Sequence, residues 1–322
     1  MRGPIGAVVC LFPGQGSQRV GMGRALAAEF PVARRAYEEA DDRLRAPLSR
    51  LCFDGPDARL ELTENAQPAI LVTSVAAWRV LAETTGLRPA AVAGHSLGEW
   101  SALVAAGVLA LGDAVVAVRE RGRLMQSAVP AGEGAMAAVL GLSADEVLGL
   151  CAEAAQGDVV APANLNGGGQ VVVSGHAGAV DRLLALVAAR RGKARRVPVS
   201  APFHCPLMAP AADGLARHLD GVDFRAPAVP VWTSVEARRV GGAHEIRDLL
   251  VRQVTAPVRW EDTVRGITAD ATLAVEVGPG KVLTGLLRRI RPEVDGVTFA
   301  GPDDVAPVRA ALAARVAREG AA

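Results

Sequence analysis

Three short apolar segments constrain the fold of this 322-residue chain more than any other feature. Each segment ends in a turn rich in glycine or proline and leads into a segment of helical period; the turns are "PGQGSQ", "GHSLG" and "GPGK". Apolar strands that alternate with helices predict a mostly parallel sheet covered by helices. Loops at the carboxyl ends of parallel strands form the ligand crevice, so we expect functional residues in these three turns.

The predicted strands of this sheet are residues 7–12, 91–93 and 273–277. The period of the apolar residues predicts further elements as helices, at residues 21–29, 68–83, 97–106, 113–128, 205–219, 245–254 and 282–289. The first apolar segment lacks a small-residue cleavage site, so it is interpreted as a buried strand and not as a leader peptide.

The region between residues 130 and 199 has a different rhythm. Its pattern is strand, helix, strand, strand, helix, strand, which is the order of a ferredoxin-like unit. We therefore predict an α/β chain with a large α/β-hydrolase-like domain, residues 1–129 and 200–322, and an inserted ferredoxin-like subdomain, residues 130–199. Hinges are expected near Val129 and Ser200. The "GGG" inside the insert predicts a hairpin turn.

Composition excludes several functions. Lys and Arg total 35 against 34 for Asp and Glu, so no charge excess attracts nucleic acid. The four cysteines and five histidines form no metal-ligand spacing, which predicts no metal site and fits a reduced cytoplasm. The longest apolar run, "SALVAAGVLALG", is shorter than the roughly 20 residues that span a bilayer, so no membrane role is expected.

Ser96 is the candidate nucleophile. "GHSLG" fits G-x-S-x-G between a strand and a helix, the context in which this motif forms a strained elbow that exposes the serine oxygen. The alternative is a helix N-cap serine. The two interpretations are compatible, because a serine at a helix N-terminus also lies beside free N–H groups that can hold an oxyanion.

A serine nucleophile needs a base, and two of the five histidines are candidates. His204, in the proline-rich "PVSAPFHCPLM", is the better one, although it could also simply cap a helix. His95 adjoins Ser96 and is expected to line the site without acting as the base. The other three are expected at the surface: His176, His218 and His244.

The chain as a whole resembles the malonyl-CoA:acyl carrier protein transacylases and the related acyltransferases of polyketide synthases. The resemblance covers residues 8–290 and rests on blocks that occur in order: "LFPGQGSQRVGMG", "AQPA", "GHSLGEWSALVAAGVL", "ERGRLMQ", "PANLNGGGQVVVSG", "PVSAPFHCPLM", "VRQVTAPVRW" and "EVGPGKVLTGLLRRI". Several blocks in one order are far more specific than any single block.

The resemblance implies a Ser–His dyad. Ser96 would take the acyl group from a coenzyme A thioester, and His204, oriented by backbone groups instead of a carboxylate, would be general base and then general acid. Arg121 would pair with the free carboxylate of malonyl; taken singly, it could be an exposed helix charge. The backbone N–H groups of Gln15 and Leu97 would hold the oxyanion.

The resemblance also places polar residues around the site, although each could be ordinary turn or cap chemistry: Gln67, Asn164 and Gln253. Leu97 and Phe203 resemble the residues at these positions in malonyl-type members. An aromatic ring such as that of Phe203 beside the acyl pocket would leave little space for a branched acyl group. Trp100 departs from the usual tyrosine or phenylalanine.

The predicted function is transfer of a malonyl group from coenzyme A to the phosphopantetheine thiol of an acyl carrier protein, in fatty acid or polyketide biosynthesis. The enzyme is expected to be a cytoplasmic monomer without a cofactor. Arg288 and Arg289 could meet an acidic carrier. Three alternatives remain: a thioester hydrolase with the same dyad, a non-catalytic carrier-binding module, and an acyltransferase that works between two carriers.

Overall fold

A computed structural model describes residues 7–199 and 201–319 of the chain. It contains two sheets, whose strands are β1 Ala7–Phe12, β2 Ala91–Gly94, β3 Gly134–Leu140, β4 Val160–Gly167, β5 Gln170–His176, β6 Lys193–Arg196, β7 Val231–Thr233, β8 Arg238–Arg239, β9 Ala271–Val277 and β10 Asp295–Phe299. Its α-helices are α1 Arg24–Glu29, α2 Pro31–Leu44, α3 Leu48–Asp54, α4 Asp57–Leu60, α5 Thr63–Thr85, α6 Gly98–Ala105, α7 Leu111–Ser127, α8 Ala144–Ala155, α9 Ala177–Ala189, α10 Ala209–Leu219, α11 Ala243–Gln253, α12 Trp260–Ile267, α13 Val282–Ile290 and α14 Val305–Glu319.

The large sheet has the order β10-β9-β1-β2-β7-β8, and all its pairs are parallel except β7 with β8. Successive side chains of a strand point to opposite faces, and β1 is buried on both. Cys10 and Phe12 enter one apolar core, whereas Val9 and Leu11 enter a second core on the other face. The sheet is therefore covered on both sides, as the near-continuous apolar sequence of β1 predicts.

The inserted unit runs β3-α8-β4-β5-α9-β6 and forms an antiparallel sheet of order β4-β5-β3-β6 around its own apolar core. This is the predicted ferredoxin-like order. The "GGG" forms the β4–β5 turn, and its three glycines have positive φ. The division at residues 130 and 199 remains a prediction, and Ser200, expected near one hinge, lies outside the described residues.

The predicted elements of the large domain are present; β1 has the predicted bounds, and the ends of the others are shifted. The helix expected at residues 68–83 is α5, which begins at Thr63 and contains Pro68. The helix expected at 205–219 divides into a 3₁₀ turn, Pro206–Met208, and α10. Several elements had not been predicted, namely α2, α3, α4, α12, α14, β7, β8 and β10.

Backbone hydrogen bonds join the inserted unit to the large domain. In β4, the N–H of Leu165 donates to the carbonyl of Val258 at 2.8 Å, and the N–H of Val258 donates to the carbonyl of Ala163 at 2.8 Å. Val258 comes just after α11 in the large domain, so the insert is hydrogen-bonded to the segment that follows this helix.

Among the described helices, none combines the length and apolar character that a membrane crossing requires.

Candidate active site

Ser96 lies in the turn between β2 and α6, and its backbone is in the left-handed region at φ 51°. The two glycines of "GHSLG" make this turn possible. A Cβ atom at Gly94 would overlap the backbone of Gly98, and one at Gly98 would overlap the carbonyl of Phe12. The motif therefore forms the strained elbow that the sequence predicts, with the serine between two positions where only glycine fits.

Ser96 and His204 are in hydrogen-bond contact although 108 residues separate them. The Ser96 hydroxyl donates to Nε2 of His204 at 2.7 Å, and Nδ1–H of His204 donates to the backbone carbonyl of Gln253 at 2.8 Å. The carbonyl can only accept, so the network assigns the proton to Nδ1 and leaves Nε2 free as the base. His204 also has a left-handed backbone, at φ 58°.

The surroundings of His204 keep its imidazole neutral. Burial, with a smaller contribution from the positive charge of Arg121, lowers its pKa from 6.5 to about 3. The hydrogen bond to Gln253 opposes this shift without reversing it. Only a neutral imidazole can accept the serine proton, so His204 is in the protonation state that a general base requires at neutral pH.

Arg121, in the middle of α7, is only 1% exposed. Its Nη1 donates to Oε1 of Gln67 at 2.7 Å, and its Nη2 donates to Oε1 of Gln253 at 3.0 Å and to Oγ of Ser96 at 3.4 Å. Within the described residues no carboxylate lies within ion-pair distance of this guanidinium. Burial lowers its pKa to about 10, which still leaves it charged at neutral pH.

A buried carboxylate that the sequence analysis missed lies behind these residues. Glu99, in the first turn of α6, accepts hydrogen bonds at Oε2 from the backbone N–H of Ser234 at 3.1 Å, from the Ser234 hydroxyl at 2.8 Å and from Nε2 of Gln253 at 2.7 Å. Burial raises its pKa, and these donors oppose that effect. The signal in the sequence was a single charge in the otherwise apolar helix "GEWSALVA".

The cleft above the dyad has a volume of about 790 Å³ and lies between the large sheet and the insert. Most residues predicted for the site line it together with Ser96, Arg121 and His204, namely Gln15, Gln67, His95, Leu97, Asn164 and Phe203. Gln253 differs from the prediction, because it is fully buried behind Arg121 and His204 and does not line the cleft.

His95 lines the cleft, as predicted, and its ring is held by two residues that the sequence analysis did not select. Nε2–H of His95 donates to Oδ1 of Asn166 at 2.9 Å, and its ring meets Trp260 edge to face at 5.3 Å. Burial lowers the pKa of His95.

Among the described residues, no cluster of three or more histidine, cysteine and acidic side chains could hold a metal ion.

Comparison with known proteins shows the family to which this chain belongs. The acyl transferase domain family matches residues 9–301. A malonyl CoA-acyl carrier protein transacylase of Salmonella typhimurium is 47% identical over 94% of this chain and 97% of its own length. The chain belongs to the malonyl CoA-acyl carrier protein transacylase family.

Solved structures of transacylases in this family share the fold. A malonyl-CoA:acyl carrier protein transacylase from Xanthomonas oryzae is 47% identical, with a TM-score of 0.92 over 95% of this chain and 98% of that one. A malonyl-transacylase solved in complex with a type II PKS acyl-carrier protein is 44% identical, with a TM-score of 0.91 over 93% of this chain and 98% of that one. The α/β fold with its second, antiparallel sheet is thus the fold of this transacylase family.

The departure from the family pattern at Trp100 lies outside the cleft. Its side chain is fully buried in the apolar core that includes α6, and Trp100 is not among the residues that line the cleft. Leu97 and Phe203, the positions that resemble malonyl-type members, are both buried cleft residues.

Proposed function

We propose that this chain transfers a malonyl group from coenzyme A to the phosphopantetheine thiol of an acyl carrier protein through a Ser96 acyl-enzyme. The observation that carries the proposal is the environment of Arg121. A buried guanidinium is costly unless it is paired, and this one is held by two neutral amide oxygens with an Nη2 atom 3.4 Å from Oγ of Ser96. A substrate that carries a carboxylate beside its thioester supplies the missing anion.

In the first half-reaction, Ser96 Oγ attacks the thioester carbonyl while Nε2 of His204 takes the serine proton. The tetrahedral oxyanion is stabilised by the N–H groups of Gln15 and Leu97, in the role proposed for them. When the intermediate collapses, the carbon–sulfur bond breaks and His204 returns its proton to the thiolate of coenzyme A. The malonyl group is then an ester of Ser96, and its carboxylate pairs with Arg121.

The second half-reaction reverses this order. The carrier thiol gives its proton to His204 and attacks the serine ester, and His204 then protonates Ser96 Oγ as the ester bond breaks. The Nδ1–H bond to the Gln253 carbonyl holds the imidazole in one tautomer through both steps. The same two residues therefore serve both acyl transfers.

Two features support transfer over hydrolysis of the acyl-enzyme. A buried arginine selects a dicarboxylic acyl group, and a cleft of about 790 Å³ can hold a phosphopantetheine arm in place of water. Intact-protein mass spectrometry tests the distinction after incubation with malonyl-CoA. We expect a malonyl adduct on Ser96 that persists until a holo carrier protein is added. An adduct that decays in water before the carrier arrives would support a hydrolase.

The Arg121→Ala variant tests the role of the guanidinium. Loss of the clamp leaves the malonyl carboxylate unpaired in a site shielded from water, which costs on the order of a few kcal/mol. We expect kcat/KM for malonyl-CoA to fall by roughly 100-fold or more, while that for acetyl-CoA is unchanged or rises. Equal losses for both substrates would assign Arg121 to the fold or to the coenzyme A moiety.

Other parts of the proposal are less specific. The chain is proposed to serve fatty acid or polyketide synthesis, and a monomeric state, a cytoplasmic location and independence from cofactors stay predictions. Arg288 and Arg289, which are exposed at the end of α13, are proposed contacts for an acidic carrier. Transfer assays with carrier proteins of each pathway would identify the acceptor.

A further inference from the structure

Gln253 is the point at which the two functional side chains of the site meet. Its side-chain Oε1 accepts from Arg121 at 3.0 Å, and its backbone carbonyl accepts from His204 at 2.8 Å. The backbone contact is fixed by the end of α11. The side-chain contact, by contrast, depends on which way the amide is turned, because one end of an amide accepts and the other donates.

Glu99 provides the closer of two acceptors that fix that orientation; the other is the hydroxyl oxygen of Ser234, 3.4 Å from Nε2. The donor end of the amide, Nε2, lies 2.7 Å from Oε2 of Glu99, which places the acceptor end toward Arg121. A carboxylate can only accept, whereas an amide at position 99 could also present a donor to Gln253. The Gln253 amide could then rotate and place its own N–H groups against the guanidinium, where two donors would face each other. Glu99 is itself held by the N–H and the hydroxyl of Ser234, so the carboxylate has little freedom to move.

We propose that Glu99 is a positioning residue that fixes Arg121, through the amide of Gln253, for binding the free carboxylate of the acyl group. The backbone N–H of Glu99 donates to the carbonyl of Ser96 at 3.1 Å, but its carboxylate makes no hydrogen bond to Ser96, Arg121 or His204 and is linked to Arg121 by the Gln253 amide. The charge of Glu99 also lies close enough to Arg121 to favour its protonated form. Glu99 thus controls acyl selectivity from behind the cleft, through Gln253 and then Arg121. The inference rests on the proposed function of Arg121.

The chain offers a matched control in a second buried glutamate. Glu276, at the end of β9, is fully buried and accepts from the backbone N–H groups of Leu283 at 3.0 Å and Thr284 at 2.7 Å. Burial raises its pKa, as it does for Glu99. Glu276 contacts backbone at the start of α13, whereas Glu99 contacts a side chain that holds Arg121. The two carboxylates therefore share burial and differ in what they orient.

The test compares Glu99→Gln with Glu276→Gln in steady-state assays with malonyl-CoA and acetyl-CoA. We expect Glu99→Gln to lower kcat/KM for malonyl-CoA by roughly 10-fold or more and that for acetyl-CoA by less than about 3-fold. In an Arg121→Ala background the same substitution should change either value by less than about 3-fold, because it acts through the missing guanidinium. Glu276→Gln should lower the melting temperature without changing the malonyl-to-acetyl ratio.

Three results would overturn the inference: an unchanged ratio in Glu99→Gln, equal losses for both substrates, or additive losses in the double variant. If Glu99→Gln does not fold, Gln253→Leu replaces it, because it removes the amide and keeps the carbonyl that His204 uses; an unchanged ratio there also overturns the inference. Failure of the proposed function is separate, since it would appear in Arg121→Ala alone as equal losses for both substrates.

Discussion

The buried floor and the exposed rim of the cleft are built from different kinds of residue. The floor comprises Ser96 with the polar side chains behind it, Arg121, His204 and Gln253, all joined by hydrogen bonds of 2.7–3.4 Å. The rim includes apolar residues that face solvent, such as Leu62 at 49% and Val282 at 54% exposure. The floor is thus a network of hydrogen bonds, whereas the rim exposes apolar side chains to solvent.

The floor is therefore suited to the acyl-transfer chemistry, and the rim is suited to binding the carrier protein. A hydrogen-bonded floor holds its donors and acceptors before substrate arrives, so little reorganisation is needed in the transition state. Exposed apolar side chains beside a cleft suit contact with a partner that binds and leaves. Substitutions in the floor should therefore change rate constants, whereas substitutions in the rim should change KM for the carrier.

Ser96→Ala should have the largest effect, because it removes the atom that carries the acyl group. We expect no malonyl adduct by intact-protein mass spectrometry, with a circular dichroism spectrum and melting temperature close to those of the parent. Undiminished malonyl labelling of the variant would exclude Ser96 as the nucleophile.

His204→Ala should rank next, since Ser96 would keep its place and lose its base. We expect both half-reactions to slow on the order of 10²-fold or more, measured separately as acyl-enzyme formation and as transfer to the carrier. His95→Ala is the control within the same cleft, and a normal rate in His204→Ala would transfer the role of base to His95.

The pH profile offers a third test of the floor. Burial and the charge of Arg121 lower the pKa of His204 to about 3, so the neutral base persists as the pH falls through 6.5. We expect kcat/KM for malonyl-CoA and for acetyl-CoA to show no acid limb with a midpoint near 6.5 between pH 8 and pH 5, at pH values where the fold is intact. A half-loss near 6.5 for both substrates would show that the imidazole is exposed to solvent.

Val282→Ser, in the rim, should have the smallest effect. Its side chain is more than half exposed, so replacing it should cost little stability. We expect KM for the carrier protein to rise by roughly 2- to 5-fold, while the rate of acyl-enzyme formation from malonyl-CoA is unchanged. A fall in that rate would place Val282 with the floor and weaken the distinction between the two parts.

Local patterns made much of this site predictable. The elbow at Ser96 follows from two glycines and an apolar strand within one short segment, and the ferredoxin-like order follows from strand and helix periods. The ends of helices were harder to predict. Pro68 resembles a helix start signal, so the predicted helix began there, although α5 begins at Thr63. Strands of two or three residues, such as β7 and β8, are too short to show a period.

Contacts between distant residues could not be predicted from spacing. Glu99 and Gln253 are 154 residues apart, and His95 and Asn166 are 71 apart and belong to different units of the fold. Only the packed structure brings these pairs together. The family resemblance supplied Gln253 as a site residue, but the contact between its amide and the carboxylate of Glu99 is visible only in the folded structure.

The left-handed backbone at Ser96 also limits which nucleophile this fold can evolve or accept by design. Threonine carries the same hydroxyl, but its β-branch is strongly disfavoured at a φ of 51°. Cysteine has no branch and could adopt the turn, with a thiol in place of the hydroxyl. The shape of the main chain, more than the reactivity of the group, thus narrows the exchangeable nucleophiles to unbranched side chains.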